Sequence, residues 1–294
     1  MTERTVGLIG LGLMGQVLAG RLLAAGFGVL GYDIDQEKNA RLATLGGRVA
    51  GLPAEVAGCD HIVLAVFNTE QAEEVVEKSL LPSAAAGTIV LCTSTCDPDR
   101  IAALGARLAG TAIRFLETPV SGSSEQVRRG EGVGLIGGDP QVAAQAAPVL
   151  DALFPRRFHI GKVGDGGRAK LAVNLILGLN RLALAEGLAF AERLGLDPRA
   201  FVEVARGSAS YSQVMDTKGA KMLARDFAPE GRVKQTLKDV HMMLDQAQRL
   251  GQDTPMLRVH CDVLEACVRH GEAERDNSII VEEIRRRRLP DAAS

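Results

Sequence analysis

Tryptophan is absent from the 294-residue chain, and aromatic residues of all kinds make up only 3% of it. Its cores must therefore be aliphatic, and the aromatic platforms on which single-stranded nucleic acid stacks are missing. Neither sign of charge is in excess: 34 Lys and Arg against 36 Asp and Glu leave a net charge of -2. With no basic domain either, no nucleic-acid partner is expected. Five scattered cysteines, Cys59, Cys92, Cys96, Cys261 and Cys267, make no disulfide framework. They fit free thiols in a reducing compartment, so a cytoplasmic location is expected. No G-x-S-x-G elbow supports serine hydrolysis. His260, Cys261, Cys267 and His270 lie close in sequence but lack C-x-x-C or H-E-x-x-H spacing, so no metal is expected. Cys92 and Cys96 flank a Thr-Ser-Thr turn and read as two free thiols rather than a redox pair. Residues 171–191 approach membrane-span length, but Asn174, Asn180, Arg181 and Glu186 interrupt them. They read as a buried helix, and no membrane partner is expected. The apolar opening MTERTVGLIGLGLMG resembles a leader peptide, but Glu3 and the glycines speak against that.

What is present is 46% apolar and 24% charged residues, the profile of a globular chain long enough for two cores. Over the first half, short β-branched runs alternate with helical patterns. Strands are predicted at 5–9, 28–32, 61–66, 88–92, 114–117 and 132–136. Helices are predicted at 12–25, 37–45, 69–78, 98–108 and 140–150. This is the pattern of a doubly wound α/β sheet. After Gly161 strand signals nearly vanish. A long helix at 168–194 stops at Gly195, and Asp197-Pro198 restarts the chain. Further helices are predicted at 199–207, 213–223, 234–250, 256–270 and 278–286. The expected organisation is a Rossmann domain (1–162), an interdomain helix (163–194) and an all-α domain (195–294). The arginine run 285–288 reads as a solvated helix end complementing the macrodipole.

GLIGLGLMG places Gly10, Gly12 and Gly15 in G-x-G-x-x-G spacing, directly after a strand and opening a helix. The first glycine permits a tight turn, the second lets the backbone approach a pyrophosphate, and the third lets helix and strand pack closely. The helix opening at Leu13 and Met14 then offers amides to phosphate charge. About twenty residues on, a second strand ends at Tyr32-Asp33, where a carboxylate can accept from a ribose 2′-hydroxyl. Asp33-Ile34-Asp35 would repel a 2′-phosphate, so NAD is expected over NADP, with Arg41 the one nearby cation that qualifies this.

Taken together, GLIGLGLMG, TSTCDP (93–98), TPVSGS (118–123), GDGGRAKLAVN (164–174) and LKD (237–239) give the chain an end-to-end resemblance to the β-hydroxyacid dehydrogenases. That family includes 3-hydroxyisobutyrate dehydrogenase and tartronate semialdehyde reductase. The resemblance implies that Ser121, Gly122 and Ser123 bind the substrate carboxylate, that Lys170 is catalytic and that Asn174 helps hold the substrate. It implies that Thr95 and Lys238 lie next to the nicotinamide end of the cofactor, with Asp239 beside them. Val66 and Asn68 match the loop under the cofactor. The chain departs from the family pattern at Phe67, where proline is common, at Cys92, where aspartate is common, and at Ser123, where glycine is usual. It departs again at Gly231, where an aromatic residue is common. Arg128, Arg129, Arg232 and Lys234 add positive charge that reads as solubilising or as suited to an unusually anionic substrate.

Alcohol oxidation needs a hydride acceptor, a proton acceptor and a means of holding the carbon. A lysine in a desolvated pocket can serve as the base, and its ammonium can stabilise an alkoxide in the reverse direction. Asn174 is i+4 from Lys170 and so shares its helix face. The expected activity is an NAD-preferring oxidoreductase acting on a small anionic 3-hydroxy acid and its semialdehyde or keto acid. Apolar helices of the second half imply a homodimer or homotetramer. A catalytically silent dinucleotide-binding or reader protein, or an imine reductase on the same scaffold, is the alternative; retention of Lys170 and Asn174 disfavours both.

Overall fold

Alternation in the first half of the sequence becomes a nine-stranded sheet in the computed structural model, which describes residues 4–288. Glu3, weighed against a leader peptide, lies outside the described residues. The chain runs β1 (Thr5–Ile9), α1 (Leu13–Ala24), β2 (Gly28–Tyr32), α2 (Gln36–Thr44), β3 (Arg48–Val49), β4 (His61–Leu64) and α3 (Thr69–Glu74). It continues with β5 (Thr88–Cys92), α4 (Pro98–Leu108), β6 (Ile113–Glu117), β7 (Val120–Ser121), α5 (Ser124–Arg128) and β8 (Val133–Gly137). Then follow α6 (Pro140–Gln145), α7 (Ala147–Leu153), β9 (Arg156–Gly161) and the long α8 (Asp165–Arg193). Two units result, Met1–Lys170 and Leu171–Ser294.

In the first unit the strand order is β3-β2-β1-β4-β5-β6-β8-β7, with β9 paired to β8. The strands from β3 to β6 are parallel, whereas β8 runs antiparallel to β6 and β7. Both faces of the parallel part are covered, which is why its strands read as unbroken apolar runs; all of β5 is buried. One face packs Val63, Ile89 and Leu91 against Leu18 and Leu22 of α1. The other packs Ile62, Leu64 and Val90 against Val76, Ile101 and Leu104.

Helix starts follow local chemistry. Asp-Pro opens α4 at Asp97-Pro98 and α6 at Asp139-Pro140, the aspartate side chain accepting from amides of the first turn. Three expectations are corrected. The helix predicted at 140–150 breaks at Ala146, because Pro148 cannot donate to the preceding turn. The helix predicted at 69–78 passes into a π turn at Val75–Leu80. Strands β3, β7 and β9 were not predicted; two are only two residues long, and β9 exposes most of its residues and so carries no apolar signal.

The second unit holds the rest of α8 with α9 (Pro198–Arg206), α10 (Gln213–Ala224), α11 (Val233–Arg249), α12 (Pro255–Arg269) and α13 (Ile280–Arg286). Its core includes Leu184, Leu188, Val202, Met222, Val240, Leu264 and Ile280. Helix α8 is long and apolar enough to cross a bilayer by length and composition, yet 39% of its most apolar window is buried in the fold. The expectation of a buried helix therefore holds for one face only. The arginine run is likewise more than a solvated end. Arg285 pairs with Glu192 and Glu282, Arg286 with Glu272 and Glu283, and Arg287 with Asp262 and Glu283, tying α13 to α8 and α12.

Candidate active site

Register places the motifs. Tyr32, Ile9, Leu64, Cys92 and Glu117 form one row across five parallel strands. The next residue of each strand lies at the carboxyl edge of the sheet, where ligands of open α/β folds bind. Asp33, Gly10, Ala65, Thr93 and Thr118 thus follow one another along that edge, about 4.8 Å per strand.

The three glycines of the first turn do three different jobs. Gly10 has φ +93°, and a Cβ there would sit 2.5 Å from the Ala65 carbonyl oxygen. At Gly15 a Cβ would sit 1.9 Å from the Gly10 carbonyl oxygen, so α1 can lie this close to the turn only without a side chain. At Gly12 a Cβ would meet nothing within 4 Å. That open space lies beside the N-terminus of α1, which has no side-chain cap, and Leu13 and Met14 open the helix there. The cradle fits the pyrophosphate of a dinucleotide.

Asp33 is buried and already engaged: its carboxylate accepts from the Leu11 amide at 2.7 Å and the Asp35 amide at 2.9 Å. Lys38 Nζ reaches it at 3.2 Å and Asp35 at 3.5 Å. The sequence reading weighed only Arg41 as a nearby cation. Arg41 is exposed and faces Glu37, and Lys38 is the cation at this corner. Gln16 completes the frame, donating to the carbonyls of Leu11 and Lys38.

Further along the edge, Val66 is half-buried, and its carbonyl accepts from Ser94 Oγ at 2.8 Å. Asn68 caps α3 by accepting from the Gln71 amide. Thr95 is half-buried in the turn after β5. Ser121, Gly122 and Ser123 follow on the next connection, all half-buried, with Gly122 at φ +135°. Ser123 is spent locally: its hydroxyl accepts from the Gln126 amide, and its own amide donates to Gln126 Oε1, closing a capping box on α5. That leaves the Ser121 hydroxyl and the Gly122 amide as the groups facing the edge with no such local duty. Cys92 and Cys96 are free and buried. A hydrogen bond from Cys96 and burial push the Cys92 thiol up, so it stays protonated and unreactive.

The glycine turn before α8 closes on Glu117. This carboxylate is 1% exposed and accepts from the Gly164 amide at 2.8 Å. A Cβ at Gly167 would lie 2.5 Å from its Oε1, and one at Gly166 would lie 2.7 Å from the Leu135 carbonyl oxygen. Burial drives the Glu117 pKa up to about 7, against the Gly164 and Gly167 amides, which hold it down. Lys170 follows one turn later on α8 and is 6% exposed.

In the second unit Asn174 donates to Asp239 Oδ2 at 3.1 Å, and Lys238 Nζ lies 3.0 Å from Asp239 Oδ1. Asp239, named only as a neighbour by the sequence, is the group that ties the other two together. Gly231 sits against Asn277, where a Cβ would be 3.3 Å from Nδ2. The loop before it is pinned by the fully buried Asp276, which accepts from the Glu230, Gly231 and Ser278 amides and from both Lys218 and Ser278 side chains. Burial works to raise the Asp276 pKa, but Lys218 and these donors outweigh it and hold the carboxyl below its ordinary value. Arg232 and Lys234 both pair with Glu274, and Arg128 and Arg129 pair with Glu125 and Glu131, so this positive charge is largely answered locally. The four residues weighed as metal ligands do not gather. The group that does is His241, Cys261 and Glu265, from α11 and α12, with ligand atoms within 4.8 Å of one another. Burial there pushes the Cys261 thiol up to about 11.

A dinucleotide cradle at the switch point of a parallel sheet, with a buried lysine at the same sheet's edge helix, defines an NAD(P)-dependent oxidoreductase. The NAD-binding domain model of 6-phosphogluconate dehydrogenase matches residues 5–161, and the NAD-binding model of NADP-dependent 3-hydroxyisobutyrate dehydrogenase matches residues 164–284. The chain belongs to the β-hydroxyacid dehydrogenase family, whose members act on CH–OH groups. It is 31% identical to an L-threonate dehydrogenase of Cupriavidus necator, over 95% of each chain. It is 29% identical to glyoxylate/succinic semialdehyde reductase 2 of Arabidopsis thaliana, over 96% of this chain and 79% of that one. The crystal structure of a 3-hydroxyisobutyrate dehydrogenase from Salmonella typhimurium superposes with a TM-score of 0.87 at 25% identity, covering 95% of this chain and 99% of that one.

Glu117 gives the first unit a testable pH response. Its folded pKa of about 7 lies above the ordinary 4.5, so the folded state holds a proton that the unfolded chain has lost. Its stabilising contribution is complete below pH 4.5 and disappears as pH rises through 7, on the order of 3 kcal/mol in total. Denaturant titrations of wild type and Glu117→Gln from pH 5 to 8 should show this decline only in wild type. Parallel curves would mean that another group titrates.

Proposed function

We propose that the chain is an NAD-preferring enzyme interconverting a small 3-hydroxy acid with its semialdehyde or keto acid, with Lys170 as general acid and base. The observation that carries this is the burial of Lys170 on α8, one turn beyond the glycines that Glu117 holds. A lysine is seldom buried without a task, and desolvation favours the neutral amine a base needs. Gly10, Gly12, Leu13, Met14, Gly15 and Asp33 would hold the dinucleotide, with Val66, Asn68, Thr95 and Lys238 toward its nicotinamide end. When bound, the nicotinamide supplies the hydride acceptor for alcohol oxidation. In that direction the substrate hydroxyl gives its proton to Lys170 Nζ; in reduction the Lys170 ammonium returns it to the forming alkoxide. Ser121 Oγ and the Gly122 amide anchor the carboxylate. Asn174, held by Asp239, presents its amide on the same helix face as Lys170. The names of the relatives, threonate, glyoxylate and succinic semialdehyde among them, support small anionic substrates of this kind. Lys170→Ala should keep dinucleotide binding and lose roughly two to four orders of magnitude in kcat. Full activity in that variant would remove Lys170 from the chemistry.

The preference for NAD rests on the paired carboxylates of Asp33 and Asp35, both of which engage Lys38 and so leave it less able to meet a 2′-phosphate. Assays of C3 to C5 hydroxy acids, with phosphonate and sulfonate analogues, should give kcat/KM at least about tenfold higher with NAD than with NADP. Turnover with NADP alone would overturn this reading.

Self-association as a homodimer or homotetramer in the cytoplasm is part of the same proposal. The five cysteines are free, as a reducing compartment would keep them. On α8, Val173, Ile176, Asn180, Ala183, Gly187, Phe190 and Leu194 follow at alternating spacings of three and four. Val173, Ile176, Phe190 and Leu194 are 39%, 61%, 64% and 61% exposed. This is a coiled-coil-like seam, in which Asn180 can fix register against a second copy. Sedimentation of Ile176→Asp should show a smaller species than wild type; an unchanged value would exclude this face.

A further inference from the structure

Two buried polar side chains of the second unit have no partner in the site described so far. Arg181, on α8, is 6% exposed, and neither its Nε nor its Nη1 has a hydrogen-bond partner. His260, on α12, is 1% exposed, and both of its ring nitrogens are without one. They lie together. The imidazole rests on Gly178, where a Cβ would be 2.5 Å from Cε1 and 3.0 Å from Nδ1, so only glycine leaves it room. Arg181 follows three residues later on α8, near enough for its charge, after burial, to help hold the His260 pKa down at about 3. The imidazole is therefore neutral. Burial also lowers the Arg181 pKa, to about 10, which leaves the guanidinium charged at neutral pH.

A buried guanidinium without acceptors is among the costliest arrangements a core can hold. Of the carboxylates, Asp276 acts on Arg181 only at a distance, and its oxygens are taken by Lys218, Ser278 and three backbone amides. The fold thus supplies fixed donors and no acceptor. The place of the pair on α8 is informative. Arg181 is seven residues from Asn174, close to two turns and about 10 Å along the axis, so the two share a helix face. Helical side chains lean toward the N-terminus, which brings the Arg181 head back toward Gly178 and the Asn174 turn.

We infer that Arg181 and His260 form a buried oxyanion site in the second unit, shaped for the oxygen atoms of a carboxylate or phospho group. Its place beyond Asn174 on the same helix face points to the far acidic group of a substrate charged at both ends. That assignment rests on the proposed function, whereas the anion site itself does not. The guanidinium supplies charge and the N–H donors, and the neutral imidazole adds one donor.

Thermal denaturation of the full-length protein tests the site without turnover. Glutarate, butyrate and inorganic phosphate are titrated at constant ionic strength, against wild type, Arg181→Met and Arg181→Gln. Wild type should show a saturable rise in Tm with glutarate or phosphate, and both variants should bind roughly 100-fold more weakly. Glutarate that competes with the hydroxy acid in steady-state assays identifies the substrate's far end as the source. Phosphate that binds without competing identifies a free anion instead; either supports an oxyanion site. No saturable shift in wild type, or an equal shift in a folded Arg181 variant, overturns it. Loss of all dehydrogenase activity would count against the proposed function while leaving this binding readout intact.

Discussion

The first unit depends on a carboxylate buried where a helix begins. Glu117 ends β6, and the chain returns to it at Gly164 after three further strands. A turn that wraps a buried carboxylate this closely must give up its side chains. Gly164 takes φ +100° and would place a Cβ 2.8 Å from the Pro98 carbonyl oxygen, and Gly166 and Gly167 are equally crowded. The carboxylate repays its desolvation only in part, through the Gly164 amide, and its raised pKa measures what is left over. What the arrangement secures is position. Helix α8 starts against the ends of β6 and β8, and Lys170 falls on its second turn at the sheet edge that also carries Gly10.

The same trade appears at the opposite end of that edge. Gly15 allows α1 to approach the Gly10 carbonyl, and Asp33 spends its carboxylate on the Leu11 amide, which locks the loop to β2. Both devices give up side-chain freedom or solvation to fix backbone amides where a dinucleotide phosphate would sit. A carboxylate already bonded to the loop can still accept from a ribose hydroxyl, since each oxygen has more than one lone pair. Asp33 therefore both shapes the loop and remains available to the cofactor.

The parallel sheet, the glycine turn and the helical second half were legible in the sequence because each leaves a local mark. Apolar runs covered on both faces, G-x-G-x-x-G after a strand, and Asp-Pro at helix starts all follow from rules that act over a few residues. What was not legible depends on contacts between distant segments. Lys38 meets Asp33 because α2 turns back on the loop; Asp239 meets Asn174 across 65 residues; Glu117 meets Gly164 across 47. Short strands such as β7 and exposed ones such as β9 carry no periodic signal at all. Ser123 shows the converse failing. Its motif marks a substrate contact, but Gln126, three residues on, completes a capping box that claims both its amide and its hydroxyl.

That local claim on Ser123 bears on what the site can recognise. With Ser123 engaged, the near end of the substrate is left with Ser121 and Gly122, a modest anchor for a carboxylate. The chain meets this with polar groups deeper in the second unit rather than with more charge at the rim, where Arg128, Arg129, Arg232 and Lys234 are already answered by glutamates. The Asn174–Asp239–Lys238 bridge is satisfied without a ligand, so it can orient an incoming group but gains little by binding one. Arg181 and His260 are in the opposite state, desolvated in advance and lacking acceptors, so an arriving oxyanion would recover interaction energy that the fold itself leaves unused. Discrimination between substrates is strongest where a mismatched ligand would leave such groups unpaired. On that ground selectivity in this protein resides on α8 and α12, while the sheet edge supplies the chemistry common to the family.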